Sequence, residues 1–337
     1  MRAFVTGATG FLGTHLIQAL DRDGWEIAAL HRPASDVREL RKCKHVELVP
    51  GDILDLESLR NGMPDGVDAV FHVAGSVANL PHRLENTRFE VNQTGTRNVV
   101  EVCRQKRIGR LVHTSTVLTY DFRAPRPFNE DAPPNAWCQD AYARSKRLAD
   151  IEVEKGVAAG LDAVFIHPSA MFGSFDKQTW SKMFLELERG MPLPFAPPGS
   201  ASVCHAPKVA EAHVAAFHTG ARNRHYILGG PDVTWLEVMR EVALILGRPG
   251  PLWRLPTALF KLYGWTEFGV SSLIGREPML TPHTIEMLSE PVHTDSSRAI
   301  KELGYRPSSL HEMLMDCYTW MIEAGMLVRT PQVSKAV

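Results

Sequence analysis

With 337 residues, 44% hydrophobic and 22% charged, the chain is long enough for one large α/β domain with an appendage or for two domains. Its formal net charge of -1 gives no general attraction for nucleic acid or an acidic membrane surface, and no apolar run approaches the ~20 residues of a membrane span. Five cysteines (Cys43, Cys103, Cys138, Cys204 and Cys317) lie scattered without C-x-x-C spacing, which predicts free thiols in a reducing cytoplasm and no zinc site.

The first strand is predicted at once, over Arg2-Ala3-Phe4-Val5, leaving no room for a signal peptide. It runs into Thr6-Gly7-Ala8-Thr9-Gly10-Phe11-Leu12-Gly13, and helical periodicity follows from Thr14 to Leu20. A strand, a Gly-rich turn and a helix N-terminus make an anion site: glycines let the backbone approach a pyrophosphate, and the first helical amides point at it. A second strand over residues 25–30 ends at His31-Arg32-Pro33. In a dinucleotide fold the residue about 20 positions beyond the glycines meets the adenosine ribose, where an acid would select NAD. Arg32 stands there instead, with Ser35 and Arg38 close behind, which predicts NADP(H) as the preferred cofactor, NAD(H) being the other option.

A third strand over Val46–Pro50 leads to Gly51-Asp52-Ile53, where Asp52 accepts from adenine or caps a helix; Asp55, with Ser58 in the next turn, is the better cap. A fourth strand spans 69–75, and its small end residues, Ala74 among them, let a cofactor pass close to the backbone. Residues 76–90, with Pro81, His82, Arg83 and Asn86, read as a loop, and a helix begins near Arg88. A strand over 110–116, a Pro-rich loop over 121–139, a helix opening near Ala141 and a strand over 162–167 ending in Pro168-Ser169 complete a strand–helix alternation. That alternation predicts an α/β fold with a doubly wound parallel sheet. Later, the prolines between 191 and 207 break regular structure, 208–221 and 234–246 are helical, and 226–230 is a strand. Thr234 and Glu237 form a capping box. The aromatic stretch 252–290 is predicted to be core or the roof of a greasy pocket, and Pro331–Val337 a loose tail.

Tyr142 and Lys146 stand at i and i+4 on one helical face. Carbonyl reduction needs a proton for the developing alkoxide, and a neighbouring ammonium draws a phenol pKa down from ~10 toward working pH. Thr116, at the end of the preceding strand, offers a hydroxyl to the same substrate oxygen. His72, His113 and His167, in or at the ends of strands, read as satisfied core histidines; none of the 14 histidines forms a ligand cluster.

These pieces together resemble the extended short-chain dehydrogenase/reductases, the superfamily of the NAD-dependent epimerases and dehydratases that includes the dihydroflavonol 4-reductases. The matching segments are Thr6–Gly13, Gly51-Asp52, Asn92 within 91–96, Thr114-Ser115-Thr116, Tyr142–Lys146, Pro168-Ser169 with Gly173, and 295–307. The resemblance implies a Rossmann domain over 1–172, with returning segments about 203–230, and a smaller α/β substrate-binding domain mainly over 173–330. It implies Tyr142 as acid/base, Lys146 on the nicotinamide ribose, and Thr116 rather than Ser115 on the substrate oxygen. Gly7, Thr9, Gly10, Phe11, Leu12 and Gly13 would hold the pyrophosphate, Asp52 and Ile53 the adenine, and Ala74, Pro168 and Ser169 the rest of the cofactor. Gly75, Ser76 and Met171 would line the substrate, and Asn92 would support helix packing. A homodimer through helices around 88–105 and 142–158 is also implied.

Two departures mark this chain. His205-Ala206-Pro207-Lys208-Val209-Ala210 lacks the two acids usual in the family, and Gly75-Ser76-Val77 replaces an Ala-Ala-His common in epimerases. The function expected is an NADP(H)-dependent carbonyl reductase or alcohol dehydrogenase of the dihydroflavonol-reductase-like branch acting on an apolar small molecule. Alternatives are a sugar or nucleotide-sugar epimerase or dehydratase (hopanoid-associated epimerase-like proteins look similar) and a non-catalytic NADP sensor.

Overall fold

In a computed structural model, which describes residues 1–76, 85–138, 140–177, 179–190, 195–275, 280 and 282–328, the chain divides into two units. The first comprises 1–169, 206–228 and 294–306, and its centre is a seven-stranded parallel sheet. Strands β1 (Arg2–Thr6), β2 (Glu26–His31), β3 (Val46–Pro50), β4 (Ala69–His72), β5 (Arg110–Thr114) and β6 (Ala163–Pro168) are joined by the edge strand Arg224–Leu228. Their spatial order is Arg224–Leu228, β6, β5, β4, β1, β2, β3. Direction of progress therefore reverses between β1 and β4, and ligands of such sheets bind at the strand ends beside that switch point.

Helices α1 (Phe11–Arg22), α2 (Leu56–Gly62), α3 (Glu85–Phe89), α4 (Gly95–Gln105) and α5 (Ala141–Ala158) follow the sheet strands in sequence. The inner strands read as unbroken apolar runs because both sheet faces are covered. On one face Phe4, Val70, Leu111 and Phe165 pack with Val99, Val102 and Cys103 of α4 and Val153 of α5. Asp55 caps α2 by accepting from the amides of Glu57 and Ser58 at 3.1 Å each.

The second unit comprises 170–205, 229–293 and 307–337. Its strand Ser200–His205 pairs with Ala170–Phe172 and Pro291–Val292 in parallel and with Asp232–Thr234 antiparallel. Phe172, Phe184, Trp235, Phe260, Ile285 and Met313 form its core. Helix Trp235–Leu246 opens on the Thr234–Glu237 capping box that its sequence announces.

Several local expectations are corrected. The fourth strand stops at His72, and a helix begins at Glu85, ahead of Arg88. Val77, Pro81, His82 and Arg83, with the side chain of Asn86, lie outside the described residues, as do Pro192, Pro194 and the segment 331–337. The proline-rich stretch contains strands Phe195–Ala196 and Ser200–His205, because tertiary pairing supplies the ladder bonds that local propensity disfavours. Residues 294–306 return to the first unit: the Asp295 amide donates to the Phe128 carbonyl, and Arg298 meets Glu130 and Asp131. The aromatic stretch is not simply core. Phe260 and Ile285 are buried, but Trp253, Leu259, Leu262 and Trp265 are exposed.

Candidate active site

The glycine turn after β1 is tight for a steric reason. Gly7 has φ +72°, and a Cβ there would lie 2.5 Å from the Ala74 nitrogen on the chain leaving β4. A Cβ on Gly13 would lie 2.0 Å from the Gly7 carbonyl oxygen, so α1 can start this close only with glycine. Gly10, the N-cap, provides no side chain to accept from the first amides, and no acid occupies the first turn. The positive end of α1 is thus left for an outside anion, which fits a dinucleotide pyrophosphate. Thr9 and Phe11 are half-buried at this turn, while the Leu12 side chain is core and has only its backbone to offer.

Beyond β2, Arg32 is exposed, and its carbonyl accepts from the Ser35 amide at 2.9 Å. Arg38 is engaged elsewhere, donating to both Asp36 oxygens at 2.9 and 2.8 Å. After β3, Asp52 turns its carboxylate to the Leu54 amide at 3.0 Å, while the Ile53 side chain is buried in the core against Gly95. Ile53 would reach a nucleotide only by its backbone.

After β4, the Ala74 amide donates to Thr6 Oγ1 at 3.3 Å. Gly75 is exposed beside Lys146: a Cβ there would stand 3.9 Å from Nζ and 3.3 Å from Asn92 Oδ1. Asn92 holds Ser76 from both sides, accepting from its amide at 2.7 Å and donating to its carbonyl at 3.1 Å. The same amide group donates to Ser145 Oγ at 2.8 Å, and Ser145 donates to the Tyr142 carbonyl at 2.8 Å. Asn92 sits in a π-turn, Glu90–Thr94, whose extra residue re-aims its side chain toward α5. It is a strut between Ser76 and the helix that carries Tyr142.

Tyr142 and Lys146 lie on α5, which opens with Asp140 accepting from the Ala143 amide at 2.7 Å. The Tyr142 phenol lies within reach of the Thr116 side chain. Burial raises its pKa to about 12, against lowering by the Thr116 side chain and the Arg88 guanidinium. Lys146 is 5% exposed and donates to the Thr114 carbonyl; burial lowers its ammonium to about 8, with Asp150 acting the other way. The ammonium is held at the Thr114 carbonyl, and the Arg88 guanidinium acts on Tyr142 against its burial.

Ser115 does not share the role of Thr116. Its hydroxyl donates to Asp150 Oδ2 at 2.8 Å, and Asp150 Oδ1 meets His113 Nε2 at 3.1 Å. His72 is tied at both nitrogens, to Thr6 Oγ1 at 2.7 Å and Thr96 Oγ1 at 2.9 Å, and stacks on His113. His167 bonds the Thr116 carbonyl at 3.2 Å and His225 at 2.9 Å. Burial drives His72 and His113 well below the ordinary histidine value. All three are core groups that fix the strands under the site.

Pro168 closes β6, buried, and the Ser169 amide donates to the Leu228 carbonyl at 3.0 Å. Met171 belongs to the second unit, half-buried on Ala170–Phe172 and paired with Cys204. In that unit His205 finds an acid far along the chain. His205 Nε2 meets Asp316 Oδ2 at 3.1 Å, and the same oxygen accepts from the Ser174 amide at 2.8 Å. Sequence reasoning missed Arg88, Asp150 and Asp316. Asp150 alone had a local signal, one turn beyond Lys146; the other two had none.

Residues 3–229 match the family model described as the NAD dependent epimerase/dehydratase family. The chain is 28% identical over 332 residues to sterol demethylase protein B of Methylococcus capsulatus, covering 97% of this chain and 100% of that one. It is 28% identical over 331 residues to a putative dihydroflavonol 4-reductase of Synechocystis, covering 96% and 95%. The crystal structure of gox2253 superposes with a TM-score of 0.83 at 28% identity, covering 96% of this chain and 99% of that one.

Proposed function

Since the chain belongs to the NAD dependent epimerase/dehydratase family, we propose that it is an NADP(H)-dependent oxidoreductase for a ketone, aldehyde or secondary alcohol on an apolar small molecule. The observation that carries this reading is the Tyr142 phenol beside the Thr116 side chain, one helical turn from a buried Lys146.

Gly7, Gly10 and Gly13 with the α1 amides would hold the pyrophosphate, Asp52 the adenine, and Lys146 the ribose next to the nicotinamide. When bound, the reduced nicotinamide supplies a hydride to the carbonyl carbon. Thr116 donates to the carbonyl oxygen and fixes its position. Tyr142 gives that oxygen its proton; a phenol raised to about 12 is fully protonated at neutral pH, which favours the reducing direction. Lys146, as an ammonium, stabilises the phenolate left behind. Ala74, Pro168 and Ser169 complete the cofactor wall, and Gly75, Ser76 and Met171 line the substrate. The second unit is the substrate-binding part.

Arg32 supports NADP(H): the residue that follows β2 is this arginine and not an acid, and Arg38 is taken by Asp36, so Arg32 is the cation available to a 2'-phosphate. An apolar substrate is in keeping with the sterol named for the Methylococcus relative. The decisive assay follows NADPH and NADH oxidation against aromatic, aliphatic and steroid ketones, with Tyr142→Phe as control. Turnover that needs Tyr142 and prefers NADPH is expected. A second reading, epimerase or dehydratase chemistry on a sugar, draws on the family's own description. It predicts nucleotide absorbance retained through purification and no net oxidation with any ketone. A homodimer through the helices around 88–105 and 142–158, working in the cytoplasm, belongs to the first reading; a monomer by light scattering would remove the dimer from it.

A further inference from the structure

Given Tyr142 as the proton donor of the proposed hydride transfer, we propose that solvent protons return to it along helix α5, through Lys146, Asp150 and a polar cavity that Asp150 borders. Each reduction hands the Tyr142 proton to the product and leaves a phenolate. One proton per turnover must therefore come in from water. Tyr142, Lys146, Asp150 and Glu154 stand at intervals of four residues, which sets them in one row along α5. They are a phenol, an ammonium and two carboxylates, and the row runs from the proton donor toward solvent. Lys146 is 5% and Asp150 1% exposed, whereas the Glu154 side chain is 37% exposed.

Asp150 is held in place by two buried groups, the Ser115 hydroxyl at 2.8 Å and His113 Nε2 at 3.1 Å. Neither of them leads to water. The carboxylate also borders a cavity of about 190 Å³ that lies wholly within the first unit. Tyr120, His167 and His225 give that cavity its polar wall: the Tyr120 hydroxyl is 3.4 Å from a nitrogen of each ring, and the rings meet at 2.9 Å. An apolar void of this size stays dry, but hydroxyl, imidazole and carboxylate groups give several water molecules their partners. Glu130 also lines it and is already engaged, accepting from the Ile227 amide at 2.8 Å and facing Arg298 at 3.4 Å. Arg147 and Glu154, paired at 2.7 Å and each about a third exposed, form the mouth.

The relay moves protons and no electrons. The Lys146 ammonium gives a proton to the phenolate and becomes a neutral amine. That amine takes a proton from the Asp150 carboxyl group, and the carboxylate left behind is reprotonated by water in the cavity. Exchange with bulk water past Glu154 closes the cycle, so one solvent proton enters for each alcohol formed. Burial assists the first transfer, because it lowers the ammonium to about 8 and brings the amine form within reach. The Asp150 charge acts on that same ammonium, one turn away. Asp150 is thus a positioning residue that works through Lys146.

The test follows NADPH oxidation by the full chain with a ketone that turns over, in stopped flow and in steady state, in H2O and in D2O. Asp150→Asn keeps the size of the side chain but cannot carry a proton. Ala132→Phe fills the cavity from its loop wall. Ala132 is half-buried and outside the core bonds of Asp150, so the second variant decides if the first fails to fold; circular dichroism checks both. Ala132→Phe should keep the first turnover, for which Tyr142 is already protonated, and lower steady-state kcat roughly tenfold or more. Both variants should show a larger solvent deuterium effect on kcat than wild type. An unchanged kcat and isotope effect in Ala132→Phe, or equal loss of first and later turnovers, would overturn the relay and leave hydride transfer standing. A wild type that oxidises NADPH with no ketone would remove the hydride reading, and the relay with it.

Discussion

At the scale of single residues, the site is governed by what burial does to two protons. Lys146 is useful only as an ammonium, and its pKa of about 8 means that form is present below pH 8 and lost above it. Tyr142, at about 12, stays a phenol across the working range and adds no limb of its own. The expected profile of kcat/KM for ketone reduction is flat near pH 6 to 7 and falls above about pH 8. Asp150 opposes the lowering of Lys146, so Asp150→Asn should move the descending limb to lower pH; an unmoved limb would show that the carboxylate serves structure alone. Tyr142→Phe removes the proton donor and should lower kcat by roughly 10²–10⁴-fold with an unchanged melting temperature. Arg32→Ala should weaken NADPH by about 1.5–3 kcal/mol, the worth of a hydrogen bond to a charged group, and leave NADH nearly unaffected. Paired titrations of the two nucleotides check it, and equal losses for both would contradict the role given to Arg32.

At the scale of elements, the glycine turn shows why spacing carries meaning. Gly13 is needed because its missing Cβ admits the Gly7 carbonyl. Gly13→Ala must push α1 away from β1, an overpacking cost of about 1–3 kcal/mol, and should raise the Kd for either nucleotide together with lowering Tm. Calorimetry and fluorescence titration on one variant distinguish this from a purely local effect. The spacing in sequence was enough to find this turn, because strand, turn and helix are contiguous. Tyr142 and Lys146 were legible for the same reason, being one turn apart on one helix. The exposed stripe on Thr257–Leu273 was not, since periodicity shows that a helix has an apolar face without showing which way it turns. Here inward pairs at Lys261 and Glu267 decide it.

At the scale of the molecule, the first unit carries a set of neutral buried rings. Burial lowers His213 to about 4 and His167 to about 3, and drives His72 and His113 well down. Unfolded histidine titrates near 6.5, so below that pH the unfolded chain takes up protons that the folded chain refuses. Stability is therefore full above pH 6.5 and is lost as pH falls toward 4. At pH 5 each such ring costs about 2 kcal/mol, and Tm should drop by more than about 5 °C between pH 7 and pH 5. Equal melting temperatures at the two values would mean that the rings open to water before the fold is lost.

The sequence by itself determined the α/β alternation, the phosphate-type turn at Gly7–Gly13, the helix caps at Asp55 and Thr234, and the pairing of Tyr142 with Lys146. Each is settled by residues within a few positions of one another, where backbone geometry fixes who meets whom. Only the tertiary structure decided that Ser115 belongs to Asp150, 35 residues away, and that His205 finds its acid at Asp316, 111 residues away. It also decided that Asn92 braces Ser76 against Ser145, and that the Arg88 guanidinium lies where it acts on the phenol. Buried polar groups must find partners wherever the strand order brings them, and strand order is a property of the whole chain.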